Sequence, residues 1–163
     1  MKSQLTAMTK VALLLHNIRS VHNVGSIFRT ADAVGVKKII LCGYTPGPLD
    51  RFGLPRADLH KAALGAEESV SWEREEQTVV AIEKLKQQGY AVVALEQDAR
   101  AIDYKAFRAP ERCALVLGEE RHGLSRDILE QCDVAIEIPM RGRKESLNVS
   151  VAAGVALFRV QNI

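Results

Sequence analysis

The sequence predicts an α/β fold, a mostly parallel sheet flanked by helices. Three observations carry this. Val11–Leu15, Tyr90–Leu95 and Cys113–Gly118 are short continuous apolar runs, as expected of strands buried on both faces of a parallel sheet. Between such runs lie stretches with apolar residues at helical spacing, as at Val24, Ile27, Phe28, Ala31 and Val34. The two patterns alternate along all 163 residues without a repeat or a linker-like segment, so one domain, residues 1–163, is expected.

The first strand, Val11–Leu15, ends at His16-Asn17-Ile18-Arg19. A helix follows from about Asn23, a candidate N-cap, to Val34, where Gly35 stops it. Arg29 and Asp32 fall among its apolar positions; taken singly, Arg29 reads as a partly buried arginine paired with Asp32. Lys37–Cys42 completes a βαβ unit. Residues 43–58 hold three of the five prolines and read as a long surface loop carrying Arg51 and Arg56. A short helix (Leu59–Leu64) leads to a strand in which Val70 and Trp72 alternate with polar neighbours. Thr78–Gln88 is an amphipathic helix stopped by Gly89, and Tyr90–Leu95 is the next strand. Cys113–Gly118 ends in Glu119-Glu-Arg-His-Gly-Leu-Ser125, and Ser125 caps a helix to about Gln131. Val134–Ile138 is the last strand. The last helix runs from Ser146 to about Val160, with Ser146 in the capping position and Asn148 without an obvious partner.

A composition of 47% hydrophobic and 26% charged residues is that of an ordinary globular protein, and no apolar run nears the ~20 residues of a membrane span. MKSQLTAMTK has no apolar core before a cleavage site, so a cytoplasmic protein is expected. Cys42, Cys113 and Cys132 are odd in number and widely spaced, which fits buried free thiols rather than zinc or redox chemistry. His22 and His122 lack partners at metal-ligand spacing, so no metal is expected. The Asn148-Val-Ser150 sequon is accidental without a secretory signal.

Net charge is only +2, but it is unevenly placed. Residues 1–60 carry eight Lys/Arg against three Asp/Glu, residues 61–140 ten against sixteen, and residues 141–163 four against one. If the two basic ends meet in space, they form a positive face suited to phosphates.

Ligands of parallel sheets bind beyond the C-terminal strand ends. The polar clusters fall there: Asn17–Asn23, Glu119–His122 and Arg141–Asn148. No GxGxxG or GxxxxGK[ST] is present, which argues against a dinucleotide fingerprint or a P-loop.

Three blocks, Asn17–Gly35, Leu115–Ser125 and Ile138–Gly142 continuing into Ser146–Ala152, resemble in order and spacing the SpoU family of RNA ribose 2′-O-methyltransferases in the SPOUT superfamily. The resemblance implies S-adenosylmethionine as cofactor and a C-terminal trefoil knot. It places the cofactor in loops after Leu95, around Gly118, and from Ile138 through Met140 to Leu147. It assigns catalysis to Arg29, with Asn23, Glu120, Ser146 and Asn148 in the same site. Asn23 would then orient Arg29 from the helix cap, and Glu120 would position Arg29 or the cofactor's edge.

A guanidinium, with a pKa above about 12, is a poor base. Arg29 is therefore expected to clamp an RNA phosphate and stabilise alkoxide charge, the proton leaving through phosphate or water. Activity titrating near neutral pH would point instead to His22. The resemblance also implies a homodimer, for which the apolar last helix suits a tight contact; a wholly buried core helix is the other reading. RNA is the expected partner, tRNA in preference to rRNA, with Arg19, Arg51, Arg56, Arg141, Arg143 and Lys144 as RNA-facing cations. Two alternatives stand beside this: an RNA-binding module with the same fold and no catalysis, and an unrelated nucleotide-binding α/β protein.

Overall fold

Alternate residues of the first strand face opposite sides of a sheet, and both sides are covered. Val11, Leu13 and Leu15 join one buried cluster, Ala12 and Leu14 another. That is why the strand is apolar at every position from Val11 to Leu15. The computed structural model describes residues 8–163; residues 1–7, including most of the N-terminal stretch read above for a leader, lie outside the described residues.

The elements are β1 (Lys10–His16), α1 (Val21–Val34), β2 (Lys38–Cys42), α2 (Ala57–Ala63), α3 (Ala66–Ser69), β3 (Ser71–Glu75), α4 (Thr78–Gln87), β4 (Ala91–Leu95), β5 (Ile102–Asp103), β6 (Arg112–Leu117), α5 (Arg126–Gln131), β7 (Val134–Glu137) and α6 (Val149–Gln161). The strands form one seven-stranded sheet in the order β3-β2-β1-β6-β4-β7-β5. Every pairing is parallel. All C-terminal strand ends therefore open on the same edge. Helices α1, α2, α3 and α6 contribute to the cluster on one face, and α4 and α5 to that on the other. Phe28 is the largest fully buried side chain, and burying one of its kind stabilises by about 1.5–3 kcal/mol.

Several boundaries differ from expectation, each for a local reason. Helix α1 is capped by Ser20, whose hydroxyl accepts the Asn23 backbone N–H at 3.2 Å, so Asn23 lies inside the first turn. Helix α6 starts at Val149, not Ser146. Its N-cap is Asn148, whose Oδ1 accepts the N–H groups of Ser150 (2.9 Å) and Val151 (3.4 Å). Nor is α6 wholly buried: Val151 is 52% and Phe158 45% exposed. Residues 43–58 are not one open loop, since Leu49 bridges Pro55 and α2 begins at Ala57. Arg29 is in no ion pair among the described residues, and Asp32 instead accepts the Ser69 hydroxyl at 2.7 Å. Two short elements, α3 and β5, were not anticipated; β5 has only two residues, both exposed, and no periodicity to announce it. No helix among the described residues is long and apolar enough to cross a membrane.

Candidate active site

Beyond the ends of β4, β6 and β7 lies a cavity of about 320 Å³, within the range of small-ligand sites. Leu95, Gly118, Ile138, Met140 and Leu147 all line it, so the three expected cofactor loops converge. Ser146 and Glu120 also line it.

The loop after β6 is tightly folded. A Cβ on Gly118 would stand 2.5 Å from the Gly123 carbonyl carbon, so only glycine lets the two backbones approach. Gly123 has φ +62°, and a Cβ there would meet Glu96 Oε2 at 2.1 Å. That same oxygen accepts the Leu124 N–H at 2.8 Å, bracing the β6 loop from the end of β4. Gln97 ties β4 to the third loop by donating to the Glu145 carbonyl at 2.8 Å. Glu96 and Gln97 were not anticipated, although their position directly after a buried strand is the signal that marks such sites.

Beside the cavity, one side chain from each of the three sequence blocks joins a chain of hydrogen bonds. Asn148 Nδ2 donates to Asn23 Oδ1 at 3.2 Å, and Asn23 Nδ2 donates to Glu120 Oε1 at 3.1 Å. Asn23 is 9% exposed, and this pairing satisfies an amide that would otherwise be costly to bury. Glu120 thus holds Asn23 rather than Arg29. Arg29, six residues further along α1, is exposed and lines a separate depression with His22, Ser26, Lys61 and Phe158. Six residues advance about 240° around a helix, so one chain does not bring Arg29 to the Asn23 cluster.

Glu119 anchors the rim. Burial pushes its carboxyl up, but hydrogen bonds from His122 and Tyr44 outweigh this and leave it below the ordinary value. The Tyr44 hydroxyl donates to it at 3.2 Å, and the His122 backbone N–H at 3.1 Å. His16, at the end of β1, has its pKa lowered by burial, partly offset by the charge of Glu119. Its ring bonds Thr78 Oγ1 at 2.7 Å through Nδ1 and is approached by Asn17 Nδ2 at 3.4 Å through Nε2, which assigns the Nδ1–H tautomer. Burial raises the thiols of Cys42 and Cys132 to about 11 and of Cys113 to about 12, so none is a nucleophile near neutral pH.

Of the expected RNA-facing cations, Arg19, Arg51, Arg141, Arg143 and Lys144 are exposed. Arg56 is half-buried and pairs with Asp58 at 3.4 Å.

An all-parallel sheet with a cavity at its strand ends, braced by three loops and flanked by a hydrogen-bonded cluster around the buried Asn23 amide, defines a ligand-binding α/β protein. The model of the SpoU rRNA Methylase family matches residues 10–158, and the chain belongs to that family. A Staphylococcus haemolyticus protein named for the TrmH family of tRNA/rRNA methyltransferases is 38% identical over 148 residues, which cover 91% of this chain and 57% of that protein. The chain thus spans little more than half the length of such curated relatives. The AdoMet-bound rRNA methyltransferase of Sinorhizobium meliloti superposes with TM-score 0.82 at 30% identity, over 93% of this chain and 56% of the other. A structure described as giving insight into 2-OH methylation of C/U34 on tRNA matches with TM-score 0.78 at 28% identity, over 92% and 93%. The parallel sheet flanked by helices is consistent with the fold of that family, which is known for a C-terminal trefoil knot.

Proposed function

We propose that this chain methylates a ribose 2′-hydroxyl of RNA, tRNA in preference to rRNA, using S-adenosylmethionine, and that it works as a homodimer in the cytoplasm. The observation that carries this is the Asn148–Asn23–Glu120 chain of hydrogen bonds at the mouth of the three-loop cavity. The cavity suits the cofactor chemically. Leu95, Leu117, Ile138, Met140 and Leu147 offer apolar walls for an adenine ring. Glu96, Glu119, Glu120, Glu137 and Glu145 outnumber Arg121 and His122 around it, a negative setting for a sulfonium. The cofactor supplies an electrophilic methyl group.

The chain's own residues hold and orient. The backbones around Leu95, Gly118 and Ile138–Leu147 grip the cofactor, Glu120 and Asn23 fix the cavity's mouth, and Ser146 and Asn148 border the ribose. Arg29 clamps the RNA phosphate and stabilises charge on the 2′-oxygen, remaining protonated itself. Because Arg29 and the cluster face apart in one chain, a second copy would have to bring them together. Exposed Val151 and Phe158, with the small Gly154 between them on the same side of α6, offer an apolar face for that copy.

Titration calorimetry with S-adenosylmethionine tests the reading. Binding by the wild type and its loss in Gly118→Val, whose side chain would strike the Gly123 backbone, is the expected result. No binding at millimolar cofactor would favour an RNA-binding module without catalysis. Arg29→Lys is expected to bind the cofactor normally and to lose single-turnover methyl transfer; a near-normal rate would remove the need for a guanidinium.

A further inference from the structure

Between β2 and α2 the chain holds two aromatic rings in water. Phe52 is 72% and Tyr44 51% exposed. The turn presenting Phe52 is well tied: Asp50 Oδ1 accepts the N–H groups of Phe52 (2.8 Å) and Leu54 (3.0 Å), and the Asp50 N–H reaches the Leu54 carbonyl at 2.8 Å. A rigid turn that keeps an aromatic ring exposed forgoes burial energy, which is the mark of a contact surface. Each ring also carries a guanidinium: Arg51 lies 4.8 Å from the Phe52 centroid and Arg19 5.8 Å from that of Tyr44. Neither arginine is in an ion pair among the described residues. Tyr44 is joined through its hydroxyl to Glu119 on the cavity rim, so its ring adjoins the cofactor cavity, and Phe52 lies on the same β2–α2 connection.

Rings with one open face, each beside a free cation, match a single nucleic-acid strand, whose bases stack while its phosphates meet the arginines. We propose that Tyr44 and Phe52 form a stacking platform for unpaired bases of the RNA as it approaches the cavity. The proposal rests on RNA being the substrate. It makes the platform select unpaired RNA over duplex, since paired bases keep their faces stacked on one another.

The test is fluorescence anisotropy with a labelled hairpin RNA bearing an unpaired loop, and with the blunt duplex of the same stem, at saturating S-adenosylmethionine. The wild type is expected to prefer the hairpin, and Phe52→Leu and Tyr44→Leu to lose about tenfold in hairpin affinity each, the size of one base–aromatic stack. Phe52→Tyr and Tyr44→Phe, which keep the rings, are expected to bind as the wild type does. Leucine variants that bind the hairpin normally, or that lose equally on hairpin and duplex, overturn the platform while RNA binding stands. Leucine variants that dissociate an oligomer in sedimentation make the surface a protein interface and also overturn it. A wild type that binds neither RNA removes the RNA reading itself.

Discussion

Asn148 serves two structures at once. Its Oδ1 caps α6 and its Nδ2 reaches across to Asn23, so the same residue starts the last helix and joins the amide cluster. Asn148→Ala is expected to cost about 1–2 kcal/mol, from the lost cap and from an Asn23 amide left short of a partner. At roughly 2–4 °C per kcal/mol for a chain of this length, a calorimetric melt shows the loss directly. Asn148→Ser keeps the cap and should fall between the two, whereas Ser146→Ala, at an exposed position that caps nothing, should melt as the wild type does. His16 supplies a second residue-scale test. Its folded pKa is depressed by burial, so the unfolded chain takes up the proton first on acidification. Its contribution is complete above the ordinary histidine pKa of about 6.5 and is lost as pH falls from there through the folded value. Urea melts from pH 7.5 to 5 should show a stability decline that is shallower in His16→Gln.

At the scale of elements, the β6 loop depends on Gly123 more than on any side chain of its own. Gly123→Ala meets both the left-handed φ of +62° and the Glu96 carboxylate, which must swing away and release the Leu124 N–H. The expected outcome is destabilisation by about 1–3 kcal/mol together with weakened S-adenosylmethionine binding in calorimetry; Glu96→Gln, which keeps an acceptor oxygen, should bind more nearly normally. These elements were unequally legible from the amino-acid sequence. Strands such as β1 and β6 announce themselves because both faces are buried and their central runs, Val11–Leu15 and Cys113–Leu117, are apolar throughout. Helix starts were harder, since two capping residue types stood near each: Ser20 and Asn23 at the start of α1, Ser146 and Asn148 before α6. Which one caps depends on where the other side chain is needed. Asn23 and Asn148 need each other, 125 residues apart, and no local pattern carries that.

For the whole molecule, two of the three strand-end clusters, Glu119–His122 and Arg141–Asn148, supply lining residues of the cavity because a parallel sheet puts every C-terminal end on one edge, whereas Asn17–Asn23 lines none of it and joins only through the Asn23–Glu120 hydrogen bond. The placement of Arg29 did not follow from one chain, because a helix turns a residue six positions after Asn23 away from it and the depression that receives Arg29 faces outward, beside the exposed Phe158 of α6. A second copy against that face, as proposed, would account for both. Sedimentation should therefore find a dimer in the wild type and a monomer in Val151→Glu, which buries a charge in the proposed contact. A monomeric wild type would leave Arg29 unconnected to the cavity. The most direct measurement is nucleoside mass spectrometry of tRNA and rRNA incubated with the protein and isotopically labelled S-adenosylmethionine. The account predicts the label on a 2′-O-methylated ribose, in tRNA ahead of rRNA, and its absence with Arg29→Lys; label on a base, or none in either RNA with cofactor bound, would contradict it.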